Sequence, residues 1–264
     1  MHQTLADFLR GLQPRERQNP KDHAEALHTC AEKALAQFTG TRSSQYSILW
    51  QAEKNYVHSV LQAFLEKGME VEPSWTPARF EADFGGRPKD AARDFGPLLL
   101  TDGELTVALR GRIDRIDELE TGDGIFLKVI DYKNRIRPCM RPQDVMAGVE
   151  MQIPLYMFAA ADVLYAGRPS ALYKGLYVGL LSKPDRAEFT VRERPELSAP
   201  LTEEWIQTEK RLREKPVEFL ARMRRGDFAT TPAQPCADSA CPYRPICRMS
   251  EARLLRKKDF QENG

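Results

Sequence analysis

The sequence predicts an α/β fold in which helices flank a central mixed β-sheet, followed by a cysteine-rich C-terminal tail. Three long segments carry apolar residues at helical spacing, at residues 22–38, 46–67 and 202–225, which is typical of amphipathic helices. Between them lie shorter runs in which β-branched and apolar residues alternate with polar ones, the pattern of half-buried strands. Three of the five cysteines come after residue 230. Helices and strands that alternate along one chain favour a layered α/β domain.

The N-terminal part of the chain is predicted to be helical. Residues 4–12 show a short amphipathic pattern, and the proline-containing residues 13–20 are typical of a loop. Asp22 is the expected N-cap of the helix over residues 22–38, because its carboxylate can accept hydrogen bonds from the first free N–H groups. The helix over residues 46–67 then leads into the sheet.

The middle of the chain is predicted to form the sheet. Pro73 and Pro77 interrupt the helical pattern, and the acidic, glycine-bearing residues 120–124 are typical of a hairpin turn. A helix over residues 143–165 is expected after the hairpin. The predicted strands cover residues 78–84, 97–101, 105–116, 125–132, 171–181 and 186–192. We expect these strands to form one sheet.

The predicted hairpin carries a set of charged residues that suits metal chemistry. Asp114 lies near the end of the first strand, Asp131 near the end of the second, and Lys133 shares a face with Asp131 because side chains alternate along a strand. Two carboxylates with open positions suit Mg²⁺ or Mn²⁺. An adjacent ammonium can orient a water or neutralise a phosphoryl transition state. The pattern predicts metal-dependent phosphodiester hydrolysis, although Asp-x-Lys alone is common by chance.

Several motifs in a fixed order make the chain resemble the PD-(D/E)XK nuclease superfamily. The resemblance is to its RecB-like branch and in particular to the C-terminal nuclease domain of AddB-type helicase-nucleases. It covers roughly residues 5–250. The matching motifs are Gly111-Arg112-Ile113-Asp114-Arg115-Ile116-Asp117, Asp131-Tyr132-Lys133, Gln152-x-x-x-Tyr156, and Phe80-Glu81 followed by Phe84-Gly85.

The resemblance implies a restriction-endonuclease-like core and a specific catalytic site. Asp114, Asp131, Lys133, Gln152 and Tyr156 correspond to its catalytic residues, with Lys133 positioning the attacking water and the Gln-Tyr pair orienting the strand. The implied metal ligands for Mg²⁺ or Mn²⁺ are Asp114, Asp131, the Tyr132 carbonyl and His28. His28 ends a segment that matches a family Gly-x-x-x-His pattern, with Ala24 in place of the glycine. Glu81 could approach the metals from a neighbouring strand.

The cysteine-rich tail resembles the three-cysteine motif that holds a [4Fe–4S] cluster in AddB-type and CRISPR-adaptation nucleases. Cys236, Cys241 and Cys247 form this part of the match. The first spacing is wider than in relatives, and the expected N-terminal Cys-Pro-Phe element is missing, as if the chain were an excised domain. Since a cluster needs four ligands, we expect this chain to hold the cluster incompletely or not at all, although the full-length parent would hold it.

Charge and composition limit the classes of protein to which the chain could belong. The net charge of +1 does not by itself indicate a nucleic-acid binder, but Arg112, Arg135 and Arg137 lie beside the proposed site and could bind phosphates. An odd cysteine count argues against a disulfide framework. No apolar run approaches the length of a membrane span, and the N-terminus lacks a signal-peptide pattern. We expect a cytoplasmic protein that does not bind a membrane.

The sequence therefore predicts a divalent-metal-dependent DNA nuclease, an exonuclease on single-stranded DNA ends. Its context would be the nuclease module of a helicase-nuclease in recombinational DNA repair, and because the chain has no Gly-x-x-x-x-Gly-Lys-Ser/Thr segment, the helicase would be supplied elsewhere. The nuclease domain is predicted over residues 1–230, with residues 231–264 as the tail packing on it. Two alternatives stay open: a non-catalytic module of the same fold that binds DNA or a helicase, and a stand-alone nuclease of the CRISPR-adaptation type.

Overall fold

A computed structural model of the chain describes residues 1–37, 47–86, 95–134, 148, 150–181 and 186–228. The chain divides into two units, Met1–Phe219 and Leu220–Gly264. The predicted domain boundary at residue 230 lies outside the described residues. Among the helices of the described ranges, none is long and apolar enough to cross a bilayer.

Three N-terminal helices cover one side of the sheet. They are α1 at His2–Gly11, α2 at Ala24–Ala36 and α3 at Ser47–Glu66, close to their predicted positions. The predicted N-cap is wrong, because Asp22 lies inside a 3₁₀ turn, Pro20–His23, that precedes α2. His23 occupies the N-cap position of α2 and makes no capping hydrogen bond through its side chain.

In the described part of the chain, seven strands form two sheets. The strands are β1 at Thr76–Phe84, β2 at Leu98–Asp102, β3 at Leu105–Leu109, β4 at Gly111–Thr121, β5 at Gly124–Lys133, β6 at Ser170–Gly179 and β7 at Arg186–Thr190. The main sheet has the order β1-β4-β5-β6-β7. Among the strand pairs of the described ranges, β5–β6 is parallel and the others are antiparallel, so the sheet is mixed, as predicted. The described part of the chain ends with α5 at Glu203–Arg224 and the four residues after it.

The prediction of a single sheet is wrong for residues 97–109. β2 and β3 pair only with each other and form a separate two-stranded sheet. The predicted strand over residues 105–116 changes partner at Arg110, because Gly111 begins the pairing with Phe84 of β1. Gly85 has a φ of +68° and a Cβ there would lie 2.8 Å from the Cβ of Arg110. The close backbone crossing at this point separates the two sheets.

β5 separates two apolar clusters. Leu127 and Val129 belong to the cluster on one face, whereas Ile130 and Tyr132 belong to the cluster that contains residues of α1, α2 and α3. Because side chains alternate along a strand, Asp131 lies on the same face as Leu127 and Val129. The end of β5 therefore presents its acidic side chain away from the N-terminal helices.

The helix after the hairpin packs closely on that same face. α4 spans Gln152–Ala159 and continues as a π-helical turn, Ala160–Leu164; the predicted helical residues 143–147 and 149 lie outside the described residues. A Cβ at Gly175 of β6 would lie 2.3 Å from Ile153 Cγ2 and 2.4 Å from Met157 Sδ. The absence of a side chain at Gly175 allows α4 to approach the sheet.

Gly175→Ala is expected to lower the free energy of unfolding by about 1–3 kcal/mol, because the added methyl group overpacks a filled interface. Denaturant titration measures this loss. Gly11→Ala is the matched control, since nothing lies within 4 Å of a Cβ built at Gly11 in α1. Equal stability of the two variants would show that the contact between α4 and β6 is less tight than the structure indicates.

Candidate active site

The antiparallel pairing of β4 and β5 brings the two predicted aspartates together. Arg115 pairs with Ile130, so Asp114 lies beside the end of β5, where the Tyr132 N–H donates a hydrogen bond to Asp114 Oδ2 over 2.8 Å. The sequence placed Asp114 near the end of its strand, whereas it lies near the start of β4. Asp114 can therefore lie close to Asp131, because the start of one hairpin strand lies opposite the end of the other.

Asp131, Lys133, Gln152 and Tyr156 form one polar network. Lys133 Nζ lies 2.6 Å from Asp131 Oδ2 as an ion pair, without hydrogen-bond geometry, and donates to Gln152 Oε1 over 2.8 Å. Gln152 Nε2 donates to Asp131 Oδ1 over 2.9 Å and to the Tyr156 hydroxyl over 3.1 Å. The structure thus brings these four predicted residues together through the amide of Gln152.

Gly111 has a packing role beside this network. A Cβ at Gly111 would lie 2.9 Å from Phe84 Cζ and 3.2 Å from Tyr156 Cε1. The rings of Phe84 and Tyr156 meet edge to face, with centroids 6.1 Å apart. The glycine that opens the Gly-Arg-Ile-Asp motif therefore leaves room for the ring of Tyr156 at the site.

A second group of possible ligands surrounds Asp114. One ligand atom from each of His2, Glu81 and Asp114 lies within 4.8 Å of the others, and His2 Nδ1 is 3.3 Å from Asp114 Oδ2. Glu81 is the β1 residue between the pairs Phe80–Arg115 and Ala82–Ile113, which places it opposite Asp114. Its φ of +46° is unusual for a residue with a side chain, and such strain concentrates at functional sites.

Burial raises the pKa of two carboxylates in the site, Asp131 and Glu81. Burial raises the pKa of Asp131 to about 6, with Lys133 opposing the shift and Asp114 adding to it. Burial also raises the pKa of Glu81, and the charge of Asp114 adds to that shift. The hydrogen bond to Asp114 raises the pKa of His2. A positive charge among these carboxylates would offset the cost of burying them and the repulsion from Asp114 that adds to the shifts.

The donor set fits a hard divalent cation. Glu81 Oε1 is buried and has no hydrogen-bond partner among the described residues, which is costly unless another group satisfies it. Asp131 Oδ2 is also buried, with the ammonium of Lys133 2.6 Å away. Mg²⁺ and Mn²⁺ prefer oxygen ligands of this kind. The residues around Asp114 and Asp131 can therefore hold such an ion.

His28 does not join this group in the structure. It lies on α2, stacks on His58 of α3 with ring centroids 4.5 Å apart, and shares a cluster with Glu32. His2 of α1 takes the place beside Asp114 instead. Nothing in the sequence around His2 indicated this contact, because a single histidine at the start of an amphipathic helix has no distinctive pattern.

Of the remaining predicted site residues, Arg112 and Tyr132 are described and five others are not. Arg112 is 54% exposed and lies 2.7 Å from Asp83 Oδ1 and 3.6 Å from Glu81 Oε2, so its guanidinium is at the edge of the site. The Tyr132 main chain contacts Asp114 through its N–H, and a metal contact of its carbonyl stays a prediction. Arg135, Arg137, Cys236, Cys241 and Cys247 lie outside the described residues.

Comparison with known proteins gives several relatives that share one name. The chain is similar to a subunit of the ATP-dependent helicase/deoxyribonuclease of Staphylococcus saprophyticus, with 33% identity over 147 residues, which is 53% of this chain and 12% of the relative. Proteins of the same name match in Clostridium tetani, with 35% identity over 38% of this chain and 9% of the relative, and in Caldanaerobacter subterraneus, with 24% identity over 70% of this chain and 16% of the relative. The chain thus matches only a small part of each relative.

A family model gives the wider match. The model described as the PD-(D/E)XK nuclease superfamily covers residues 1–248, which include every element of the main sheet and all four residues of the network around Gln152. The five-stranded mixed sheet flanked by helices is consistent with this fold. The chain belongs to the PD-(D/E)XK nuclease superfamily.

Proposed function

We propose that the chain is a divalent-metal-dependent deoxyribonuclease that removes nucleotides from the ends of single-stranded DNA. The observation that carries this proposal is the meeting of Asp131, Lys133 and Gln152 beside Asp114 at the end of β5. On β1, the strand beside β4, Glu81 Oε1 is buried without a hydrogen-bond partner among the described residues. Membership of the nuclease superfamily supports the reaction class. Metal dependence follows from the chemistry of the oxygen donors.

Four residues are proposed to hold the ion. Asp114 and Asp131 would be its main ligands, and Glu81 and His2 would complete the protein side of the shell. A bound Mg²⁺ or Mn²⁺ would polarise the scissile phosphodiester and lower the pKa of a water in the site. Four protein donors leave positions open in a six-coordinate shell, as a hydrolytic site requires.

Lys133 and Gln152 have distinct proposed roles. The ammonium of Lys133 is held by Asp131 and Gln152, yet its side chain remains 35% exposed. It can therefore contact an attacking water or a phosphate oxygen and stabilise developing negative charge. Gln152 fixes Asp131 and Lys133 relative to each other, and the Tyr156 hydroxyl, which accepts a hydrogen bond from Gln152, would orient the DNA strand together with it.

The biological context is proposed from the relatives. Their name combines an ATP-dependent helicase with a deoxyribonuclease, and this chain contains no P-loop segment. We infer that the nuclease acts with a helicase supplied by another region or subunit, in recombinational DNA repair. The alternative is a nuclease that acts alone, without a helicase.

Asp114→Asn is expected to weaken Mn²⁺ binding at least about tenfold, because even outer-shell changes at metal sites cost 10- to 100-fold in affinity. Isothermal titration calorimetry measures the change. Asp83→Asn is the matched control, since Asp83 is an exposed carboxylate on β1 that pairs with Arg112. Unchanged affinity in Asp114→Asn would remove Asp114 from the proposed shell.

End-labelled DNA tests the proposed activity. Single-stranded and double-stranded oligonucleotides, labelled at either end, are incubated with the protein and Mg²⁺, Mn²⁺ or EDTA. We expect short products from single-stranded ends with either metal, no products with EDTA, and no cleavage of circular single-stranded DNA. Cleavage of circular single-stranded DNA would show that the protein is an endonuclease and not an exonuclease. No cleavage of any substrate would favour a non-catalytic DNA-binding or helicase-binding module.

A further inference from the structure

We infer a second metal site, separate from the nuclease centre, that binds a transition-metal ion such as Zn²⁺ between α2 and α3. Its ligands are His28 and Glu32 of α2 and His58 of α3. One ligand atom from each of these three residues lies within 4.8 Å of the others. This site goes beyond the proposed nuclease function and does not depend on it.

The two helices present the three side chains toward each other. His28 and Glu32 are four residues apart on α2, so they lie on one face of that helix. His58 Nε2 is 2.6 Å from Glu32 Oε1, and the rings of His28 and His58 stack with an interplanar angle of 21°. The hydrogen bond from His58 lowers the pKa of Glu32. Both helices are anchored in the same apolar cluster, through Leu27 and Leu61 among others.

The donor atoms differ in kind from those of the nuclease centre. Two imidazole nitrogens and one carboxylate oxygen suit Zn²⁺, because one class of zinc site uses two histidines and a glutamate and keeps a fourth position for water or another ligand. The nuclease centre is rich in oxygen and suits Mg²⁺ or Mn²⁺. The chain therefore offers two sites that would select different metals.

A cavity gives an ion access to the cluster. The cavity has a volume of about 420 Å³, and His28 and His58 are among the residues that line it, together with Asn55, Ser59 and Gln62 of α3. Hydrated ions can enter, because His28 and Glu32 are exposed. Coordination requires neutral imidazoles and ionised carboxylates, so the hydrogen bond between His58 and Glu32 would be exchanged for bonds to the ion. Binding would then join α2 to α3.

Zn²⁺ titration of the full chain tests this site. Cysteine thiolates are zinc ligands, so Cys236→Ser, Cys241→Ser and Cys247→Ser are present in every protein compared to remove competing ligands in the tail. Excess Mg²⁺ is added to compete for the nuclease centre. We expect one Zn²⁺ site in this parent protein, and at least about 100-fold weaker binding in His58→Ala, since loss of a ligand costs no less than loss of an outer-shell partner.

The matched variant is Gln62→Ala, because Gln62 lines the same cavity from α3 and is not one of the three ligands. It is expected to keep the Zn²⁺ site. Glu32→Gln gives a second test with little change in shape, and Zn²⁺ should raise the melting temperature of the parent and of Gln62→Ala but not of His58→Ala or Glu32→Gln. Equal Zn²⁺ affinity in His58→Ala and Gln62→Ala would overturn the site.

DNA cleavage with Mg²⁺ separates this inference from the proposed function. His58→Ala and Glu32→Gln are expected to retain the cleavage rate of the parent. Loss of cleavage together with loss of Zn²⁺ binding in His58→Ala would assign the cluster to the nuclease centre and overturn the inference. A parent protein that binds Zn²⁺ at His58 but cuts no DNA would refute the proposed nuclease activity and leave the second site standing.

Discussion

Asp131→Asn is expected to reduce DNA cleavage by about 10³-fold or more. Asp131 is buried, its Oδ1 accepts a hydrogen bond from Gln152, and its Oδ2 has no hydrogen-bond partner among the described residues and lies beside the ammonium of Lys133. An amide in its place cannot supply an anionic ligand. Lewis-acid stabilisation by a metal ion supplies several kcal/mol, and each 1.4 kcal/mol corresponds to about a factor of ten in rate.

Single-turnover cleavage of labelled single-stranded DNA with saturating Mn²⁺ measures this loss. Asp123→Asn is the control, because Asp123 is an exposed carboxylate in the turn of the same hairpin. The far-ultraviolet circular dichroism of both variants should match that of the parent. Cleavage by Asp131→Asn at the parent rate, with unchanged metal dependence, would place the reaction elsewhere in the chain.

Arg115→Leu is expected to lower the free energy of unfolding by about 3–5 kcal/mol, because it leaves the buried carboxylate of Asp117 without its partner. Both side chains are fully buried, and Arg115 donates two hydrogen bonds to Asp117 over 2.7 and 2.8 Å. It also donates to the Met69 carbonyl and to the Tyr132 hydroxyl. Burial alone would lower the pKa of Arg115, but Asp117 and Tyr132 raise it, so the guanidinium stays charged.

Equilibrium denaturation of single and double variants tests the buried pair. Arg115→Leu with Asp117→Leu is expected to be more stable than Arg115→Leu alone, since the double variant leaves no unpaired charge. Arg112→Leu is the matched control on the same strand. Its pairing with Asp83 is exposed, so we expect a change of at most about 1 kcal/mol. A double variant as unstable as Arg115→Leu would show that the lost contacts to Met69 and Tyr132 dominate.

The hairpin and its charged residues could be predicted because their signals are local. The turn residues 120–124 determine where β4 ends and β5 begins, and the period of two determines that Asp131 and Lys133 share a face. The contact between Gln152 and both of these residues depends on how α4 packs on β6 at Gly175. Only the resemblance to a nuclease family indicated that contact in advance.

Three features could not be predicted from the sequence. The change of partner at Arg110 depends on a backbone crossing with Gly85, whereas the residues on either side of Arg110 share a strand-like pattern. The position of His2 beside Asp114 depends on how α1 lies against the sheet. The position of His28 beside His58 depends on how α2 packs on α3. Contacts between distant segments leave no periodic signal in either segment.

The position of a bound Mn²⁺ ion tests the proposed nuclease centre most directly. Crystals of the chain soaked in Mn²⁺ would show the ion in an anomalous difference map. We predict a peak at a coordination distance of about 2.0–2.3 Å from carboxylate oxygens of Asp114 and Asp131, and loss of this peak in Asp131→Asn. A Mn²⁺ peak only at His28, Glu32 and His58, with none beside Asp114, would contradict the proposed centre.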